Sequence, residues 1–344
     1  MGKGVLLLSG GLDSALSGLL LRQMGVDLVA LHLASPFGCD TLAETIAREI
    51  GVPLVVRPKG EAFLEILKDP KYGYGRAMNP CIDCRIHMFA LGQAFMQEVG
   101  ASFLVTGEVL GQRPMSQKKA SVSTIDRDSG MEGRVLRPLS ARLLPPTTPE
   151  QDGTVDRSRL FGWSGRSRKP QLALAKKLGL QTVPSPAGGC LLTDDHFRER
   201  VGDFVKVDWN GPLPGSPAGP VAAILRYGRH FRMTGGQWVV VGRDQEDNRA
   251  LEAHIPKAGV AFRPDGFEGP LVCFLAAGTP SPEPLLWEMA FGALHAFGGS
   301  KVPDGALPVV FLSDREPRSL TLPVLPEHQN YLRDRTMWTS QWRQ

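Results

Sequence analysis

Ser9-Gly10-Gly11-Leu12-Asp13-Ser14 stands between an apolar run at residues 5–8 and a segment, 15–24, whose apolar residues have helical spacing. The run predicts a buried parallel strand and the spacing predicts a helix, so the stretch forms a tight strand-to-helix turn. Its glycines let a phosphate approach the backbone, and the helix start offers free N–H groups and the positive end of a dipole. Because no Gly-Lys-Ser/Thr follows, the turn is not a Walker A loop. We therefore expect a phosphate-binding turn of another class.

The composition is that of a globular protein: the chain has 344 residues, of which 42% are hydrophobic and 22% charged. No apolar run approaches the roughly 20 residues of a membrane helix, and the first residues enter a strand rather than a signal peptide. Five cysteines, an odd number, argue against a disulfide scaffold and favour a reducing compartment. We therefore expect a cytoplasmic protein without a membrane partner. The net charge of +4 allows a nucleic-acid partner without requiring one.

Strands and helices alternate after the turn. Strands are predicted at 28–33 and 52–56, with a helix at 41–50 between them. This order predicts an α/β fold with a doubly wound parallel sheet, and such sheets bind ligands at the carboxyl ends of their strands. A further predicted strand, 101–107, ends in Thr106-Gly107, so the polar loop that follows is expected at the same edge. Composition alone would leave that loop as ordinary solvated chain.

Two cysteines stand three positions apart in Asn79-Pro80-Cys81-Ile82-Asp83-Cys84. Asn79 is a good helix cap and Pro80 a good first helical residue, which would place both thiols on one face of the first turn. The helix dipole there should lower a thiol pKa, which suits a metal ligand and a sulfur nucleophile alike. Cys190 follows a loop rich in proline and glycine, 184–189, and a thiol placed in this way is expected to be functional.

The two other cysteines carry less information. Cys39 follows the second predicted strand and is expected to be a loop or buried thiol. Cys273 lies inside an apolar run, 271–275, and is expected in the core.

Several motifs resemble one enzyme superfamily. Ser9-Gly10-Gly11-x-Asp13-Ser14 resembles the pyrophosphate-binding loop of the PP-loop ATP pyrophosphatases, which split ATP into AMP and pyrophosphate. Thr106-Gly107-Glu108-x-x-Gly111-Gln112 resembles a stretch of the tRNA 4-thiouridine synthetases, and Asn79-Pro80-Cys81-x-x-Cys84 resembles a helix start of the tRNA 2-thiouridylases. Arg137-Pro138-Leu139 resembles a segment that follows in both groups. Together the motifs cover residues 1–200 in the order that these enzymes have.

The resemblance implies an ATP-dependent tRNA sulfurtransferase. Such an enzyme adenylates a uridine carbonyl oxygen and replaces it with sulfur, which yields 4-thiouridine or 2-thiouridine. It implies ATP and Mg²⁺, a tRNA substrate, and a sulfur donor that is a cysteine desulfurase or sulfide. The expected catalytic residues are Asp13, Cys81, Cys84 and Cys190; the expected ATP- and pyrophosphate-binding residues are Ser9, Gly10, Gly11, Asp13, Ser14 and Gly107.

Three cysteines are compatible with two routes of sulfur transfer. In one, Cys190 carries a persulfide and Cys84 or Cys81 resolves it as a disulfide. In the other, Cys81, Cys84 and Cys190 hold three irons of a [4Fe–4S] cluster whose fourth iron binds sulfide. We favour the cluster, because Cys81 and Cys84 are both present, whereas a disulfide partner for Cys190 needs only one cysteine.

RNA recognition is expected to involve the C-terminal half. The 4-thiouridine synthetases carry RNA-binding domains ahead of the PP-loop, whereas here that loop begins at Ser9. Val241-Gly242-Arg243-Asp244, with Asn248 nearby, resembles an RNA-binding domain of ribosome quality-control proteins. Basic residues near the motifs and in this segment are the candidates for RNA contacts: Arg113, Lys118, Arg166, Arg168, Arg229 and Arg232.

We expect three domains: a PP-loop sulfurtransferase domain at 1–200, a small basic RNA-binding module at 201–260, and an α+β subdomain at 261–344. The sequence also allows a homodimer. One alternative is a PP-loop enzyme that inserts sulfur into, or amidates, a small molecule, against which the basic module argues. Another is an RNA-binding protein whose nucleotide site is only structural, against which Asp13 and the three cysteines argue.

Overall fold

The computed structural model describes residues 2–37, 42–184, 190–206, 218–233, 237–275 and 283–336. They belong to two compact units, Met1–Asp195 (unit 1) and His196–Gln344 (unit 2). Cys39 and residues 185–189, ahead of Cys190, lie outside the described ranges. Among the described helices, none is long and apolar enough to cross a bilayer.

Unit 1 contains a five-stranded parallel sheet in the order β3-β2-β1-β4-β5. Helices cover both of its faces, so the predicted doubly wound α/β fold is confirmed. The strands are β1 (Lys3–Leu7), β2 (Asp27–Ala34), β3 (Leu54–Pro58), β4 (Phe103–Val105) and β5 (Val135–Leu136). The helices are α1 (Leu12–Gln23), α2 (Ala43–Ile50), α3 (Ala62–Lys68), α4 (Cys81–Val99), α5 (Lys119–Asp128), α6 (Thr148–Gln151) and α7 (Lys169–Leu178).

The apolar run that starts the chain is continuous because β1 is buried on both faces. Leu6 and Leu8 pack with α1, α2 and α7 in one core cluster, whereas Val5 and Leu7 pack with α4 and α5 in another. Side chains alternate along a strand, so an uninterrupted apolar run serves two cores at once. This places β1 at the centre of the sheet and the turn that follows it at the sheet's carboxyl edge.

The strand order reverses beside β1. β2 pairs with one side of β1 and β4 with the other, both in parallel. The chain after β1 leads to α1 on one face of the sheet, and the chain after β4 leads to α5 on the other face. A crevice forms where the two connections diverge, which is where such sheets bind ligands.

Unit 2 is an α+β unit around a six-stranded antiparallel sheet in the order β11-β10-β8-β9-β7-β6. Its strands are β6 (Arg229–Arg232), β7 (Trp238–Val241), β8 (Gly259–Pro264), β9 (Val272–Leu275), β10 (Leu307–Leu312) and β11 (Arg318–Leu322). Its helices are α8 (Asp195–Lys206, which starts at the end of unit 1), α9 (Ala218–Ile224), α10 (Gln245–Ala258) and α11 (Glu283–Gly298). Short 3₁₀ helices occupy Ala141–Leu143, Arg157–Arg159, Leu191–Thr193, Gly299–Lys301 and Glu327–Arg333 of the two units.

The expected division at 260/261 falls inside β8. Residues 201–260 and 261–344 both supply strands to the one sheet, which α11 covers on its apolar face. Cys273 lies in β9 and is fully buried, as expected for a core thiol. The hydrophobic pattern of a sequence identifies strands but not the sheet to which each strand belongs. Two segments of one unit were therefore predicted as two separate domains.

Candidate active site

The 9–14 turn is braced by its own serines. Ser14 Oγ donates to the carbonyl of Gly11 at 2.9 Å, and the backbone N–H of Ser9 donates to Ser14 Oγ at 3.3 Å. The N–H of Gly11 donates to Ser9 Oγ at 3.3 Å, and Gly10 has a φ of +79°, which favours glycine. The turn is therefore shaped before any ligand binds, with the start of α1 directly behind it.

Gly107 lies against the backbone of this turn. A Cβ atom at this position would lie 2.7 Å from Ser14 Cα and 2.5 Å from the carbonyl carbon of Asp13. Only glycine permits so close an approach, which is how the end of β4 supports the turn from the neighbouring strand.

Asp13, in the first turn of α1, has one satisfied and one unsatisfied carboxylate oxygen. Oδ2 accepts a hydrogen bond from Gln112 Nε2 at 3.0 Å. Oδ1 is buried and has no hydrogen-bond partner among the residues that the structure describes. Burial raises the pKa of Asp13, while the bond from Gln112 and the charges of Arg168 and Arg113 act in the opposite direction. A divalent cation would satisfy Oδ1, so the residues present fit Mg²⁺.

A cavity of about 300 Å³ opens at this edge of the sheet. The 9–14 turn and the loop after β4 form part of its wall, and Cys190 lies on the same wall. Its polar and charged lining includes Ser9, Asp13, Ser14, Lys59, Arg85, Gln112 and Arg113. The predicted phosphate-binding turn and one of the predicted sulfur-handling thiols therefore face a common space.

Cys81 and Cys84 lie at the start of α4, but Asn79 does not cap it. The helix begins at Cys81 with Pro80 in the capping position, and Asn79 Oδ1 instead accepts a bond from the Cys81 thiol at 3.1 Å. Burial, together with the neighbouring Cys190 and Cys84, raises the pKa of Cys81 to about 11. The predicted lowering of a thiol pKa is therefore wrong for Cys81, because desolvation outweighs the helix dipole.

Cys84 has a different environment. Lys59 Nζ donates to its sulfur at 3.4 Å, which places a positive charge beside the thiol, and Met88 Sδ lies 3.9 Å from the same sulfur. Cys190 is solvent-exposed at the start of a short 3₁₀ helix.

The three thiols are neighbours but are not arranged as a metal site. Within the described ranges, no three His, Cys, Asp or Glu residues are grouped closely enough to hold a metal ion. Thiolates are nevertheless the ligands that iron–sulfur clusters use, so the donor set fits such a cluster in its chemistry.

A buried ion network lies behind the cavity. The carboxylate of Glu108 is 3.2 Å from Arg85 Nε and 2.9 Å from Arg137 Nε, and Arg137 also binds Asp126 at 2.7 Å. Burial alone would raise the pKa of Glu108, but the charges of Arg85 and Arg137 lower it below its ordinary value. Because Arg85 also lines the cavity, the network holds a cation at the site.

The residues expected to contact RNA fall in different places. Arg113 lines the cavity, and Arg168, whose charge acts on Asp13, donates to the carbonyl of Pro184 at 3.0 Å. Lys118 and Arg166 are exposed on unit 1. Arg229 and Arg232 lie in β6 of unit 2. The structure thus brings Arg113 and Arg168 to the candidate nucleotide site and does not join the six residues into one surface within a unit.

Two site residues were missed in the sequence. Lys59 directly follows β3, so the rule that strand ends carry ligand-binding residues could have found it. Gln171 is buried on α7, and its side-chain amide acts on Asp13 to lower the pKa of that carboxyl. No local signal marks Gln171, because the packing of α7 on α1 brings it to the site.

Two family models match the chain, one in each unit. Residues 1–142 match the model described as Thiamine biosynthesis protein (ThiI), and residues 228–293 match the NFACT protein RNA binding domain. The tRNA-specific 2-thiouridylase MnmA of Listeria monocytogenes serotype 4b is 22% identical over 266 residues, which are 70% of this chain and 68% of the relative. These matches confirm the resemblance to the PP-loop tRNA thiouridine synthetases. The MnmA of Lactococcus lactis subsp. cremoris is 25% identical over 275 residues, covering 70% of this chain and 69% of the relative.

A solved structure is similar over about half of each chain. It is a 4-thiouridine synthetase in complex with RNA and with bound ATP, at 24% identity, a TM-score of 0.33, and 52% coverage of both chains.

Proposed function

We propose that this protein is an ATP-dependent tRNA sulfurtransferase that activates a uridine carbonyl oxygen with ATP and replaces it with sulfur. The observation that carries the proposal is the common cavity, whose wall includes both the 9–14 turn and Cys190. The similar proteins support it, since they are named as tRNA-specific 2-thiouridylases and a 4-thiouridine synthetase bound to RNA and ATP.

The activation step would use the 9–14 turn. The pyrophosphate part of ATP would bind the N–H groups of the turn and the start of α1. Asp13 would hold Mg²⁺ through Oδ1, and the metal would supply positive charge to the phosphates. Arg113 and Arg168, whose charges already act on Asp13, would bind phosphate oxygens. The uridine oxygen then attacks the α-phosphorus, its bond to phosphorus forms, and pyrophosphate leaves.

The transfer step would use the thiols. In the persulfide route, the Cys190 thiolate attacks the outer sulfur of a cysteine persulfide on the desulfurase, and the desulfurase cysteine leaves as a thiolate. The outer sulfur now on Cys190 attacks the carbon that carries AMP, the new C–S bond forms, and AMP leaves with the oxygen. Cys84 then attacks the Cys190 sulfur, which releases the thiouridine and leaves a Cys84–Cys190 disulfide. An external thiol such as dithiothreitol must reduce this disulfide before the next turnover.

The cluster remains our preferred form of the sulfur site. Cys81, Cys84 and Cys190 would be its ligands, and the cluster would supply an open iron that binds sulfide. Sulfide or a cysteine desulfurase would be the donor. Anaerobic purification should then give a brown protein with about four irons per chain. An iron-free protein that still thiolates tRNA would favour the persulfide route.

The decisive experiment combines unmodified tRNA transcript, Mg-ATP and dithiothreitol with the anaerobically purified protein, and supplies sulfur in parallel reactions as sulfide or as a cysteine desulfurase with cysteine. Mass spectrometry of the digested tRNA should show a thiouridine, and AMP and pyrophosphate should form in equal amounts. Asp13→Asn should slow pyrophosphate release by about 10²–10³-fold. The matched control, Asp27→Asn, changes an exposed carboxylate at the start of β2 and should react like the wild type. Pyrophosphate release without any thiouridine would contradict the proposal and favour a small-molecule acceptor.

A further inference from the structure

A cluster of arginines surrounds one aromatic ring in unit 2. The guanidinium carbons of Arg229 and Arg335 lie 5.5 and 5.6 Å from the centroid of the Phe297 ring. Arg229 Nη1 also donates to the carbonyl of Gly242 at 3.4 Å, which brings it beside Arg243. Burial lowers the pKa of Arg229, and the charges of Arg335 and Arg243 lower it further. The three positive charges repel one another, so a bound anion would relieve their repulsion.

Arg243 is held in a fixed position by Asp247, which is buried. The carboxylate accepts from Arg243 Nε at 2.5 Å and from Nη2 at 2.9 Å. It also accepts from the backbone N–H groups of Gly228 and Arg243, at 3.0 and 3.1 Å. The ion pair does not involve Nη1 of Arg243. A guanidinium that is oriented in advance loses little entropy when it donates to a phosphate oxygen.

A cavity of about 410 Å³ adjoins the cluster. Arg243, Phe267 and Phe297 all line it. The volume falls within the range of about 300–1,000 Å³ that is typical of small-ligand sites. Aromatic rings in such a space are the surfaces on which unpaired RNA bases stack.

Besides Arg243 and Asp244, whose carboxylate accepts from the backbone N–H of Asp247 at 2.9 Å, the charged side chains of this cavity form two ion pairs. Arg263 is paired with Glu252 at 2.5 Å, and Lys301 is paired with Glu268. A cavity with aromatic walls, a carboxylate and cations that are already paired suits an uncharged base better than a second phosphate. The arginine cluster and the adjoining cavity therefore match one nucleotide, whose phosphate would lie at the cluster.

Arg232, the other unit 2 arginine expected to contact RNA, packs elsewhere. Its guanidinium lies 4.5 Å from the Trp238 ring centroid, and its Nε is 3.9 Å from Asp203 Oδ2. It covers a buried ring, so we assign it to packing.

We propose that the arginine cluster (Arg229, Arg243 and Arg335) and the adjoining cavity form the RNA-binding surface of unit 2, which takes a phosphate of an unpaired RNA segment at the cluster and its base on Phe267. The inference rests on the proposed function, because the RNA would be the tRNA substrate. The proposed surface includes Phe297 and Arg335, which lie beyond residue 293, where the match to the NFACT RNA binding domain ends.

The test measures the affinity of the full chain for an unmodified tRNA transcript by fluorescence anisotropy at several KCl concentrations. The double variant Arg229→Gln, Arg335→Gln should weaken binding roughly tenfold or more. It should also reduce the slope of log K against log salt by about one for each lost phosphate contact. Phe267→Leu should weaken binding about fivefold or more without changing that slope. The control Arg318→Gln removes an exposed cation from β11, at the opposite edge of the sheet from Arg229 in β6, and should bind within about twofold of the wild type.

The outcomes separate this inference from the proposed function. A folded double variant with unchanged affinity and unchanged salt slope would overturn the phosphate site, and wild-type binding by Phe267→Leu would overturn the base site. Circular dichroism and melting temperature identify variants that fail to fold, and for these Arg229→Lys serves as the second variant, with retained charge and weakened binding expected. If the wild type binds no tRNA, the proposed function fails. If the wild type and the double variant thiolate and bind tRNA equally well, only the surface assignment fails.

Discussion

Gly107 offers the sharpest test of how the nucleotide site is built. A Cβ atom added there would lie 2.5 Å from the carbonyl carbon of Asp13, 2.7 Å from Ser14 Cα, and closer still to Ser14 N. Carbon atoms in contact are about 3.5–4.0 Å apart, so the 9–14 turn or the end of β4 would have to move by roughly 1 Å. All of the overlapping atoms are backbone, so rotation of a side chain cannot relieve the clash.

Gly107→Ala should therefore lower the free energy of unfolding by about 1–3 kcal/mol, which is the usual cost of overpacking. It should also displace Asp13 and Ser14, and a misplacement of about 1 Å can reduce turnover roughly 100-fold. The assays are the melting temperature, the rise in melting temperature on adding ATP, and the rate of pyrophosphate release with tRNA.

Gly11→Ala is the matched control for stability. Gly11 belongs to the same turn and has a φ of −90°, and an added Cβ would meet Ser9 Oγ at 3.4 Å, an ordinary contact. Without nucleotide its melting temperature should equal that of the wild type. If Gly107→Ala is as stable as the wild type and releases pyrophosphate within about threefold of its rate, the steric argument is refuted.

Three further predictions concern the buried charges, the pH dependence and the thiols. Arg137→Met should lower the free energy of unfolding by about 3–5 kcal/mol in urea titrations, because Glu108 loses a buried partner; Arg134→Met, which breaks a bond to a backbone carbonyl at the surface, should cost less than about 1 kcal/mol. Burial lowers the pKa of His230 to about 3 from 6.5, so below pH 6.5 the unfolded chain binds a proton that the folded chain does not. The free energy of unfolding therefore decreases as the pH falls. Between pH 7.5 and 5 it should decrease by about 2 kcal/mol more in the wild type than in His230→Gln. Cys190→Ser should abolish thiouridine formation while tRNA-dependent pyrophosphate release persists, and loss of both activities would contradict separate residues for activation and transfer.

Much of unit 1 could be predicted because its signals are local. An apolar run, two glycines and a helical repeat lie within residues 5–24, and each depends on neighbours in the sequence. The alternation of strands and helices then predicted the doubly wound sheet, and the rule for strand ends predicted the edge that Ser9 and Gly107 share. Cys190 lies on the cavity wall, and its role in sulfur transfer stays a prediction.

The properties that could not be predicted from the sequence depend on burial and on contacts between residues far apart in the chain. Desolvation raises the pKa of Cys81 where the helix start alone predicted the reverse, and only packing decides how much water a thiol loses. Arg113 and Arg168 are ordinary basic residues in the sequence, yet the fold brings their charges to Asp13.

The sequence by itself therefore determined the glycine-containing turn after β1, the α/β class of unit 1 and the order of the motifs, because each of these depends on residues that are close together in the chain. Tertiary structure decided which of those residues meet. It placed Gly107 against Ser14 across more than ninety residues of chain, and it joined strands on both sides of 260/261 into one sheet. The proximity of distant residues and the burial of a side chain are properties of the folded chain, and no local sequence pattern encodes them.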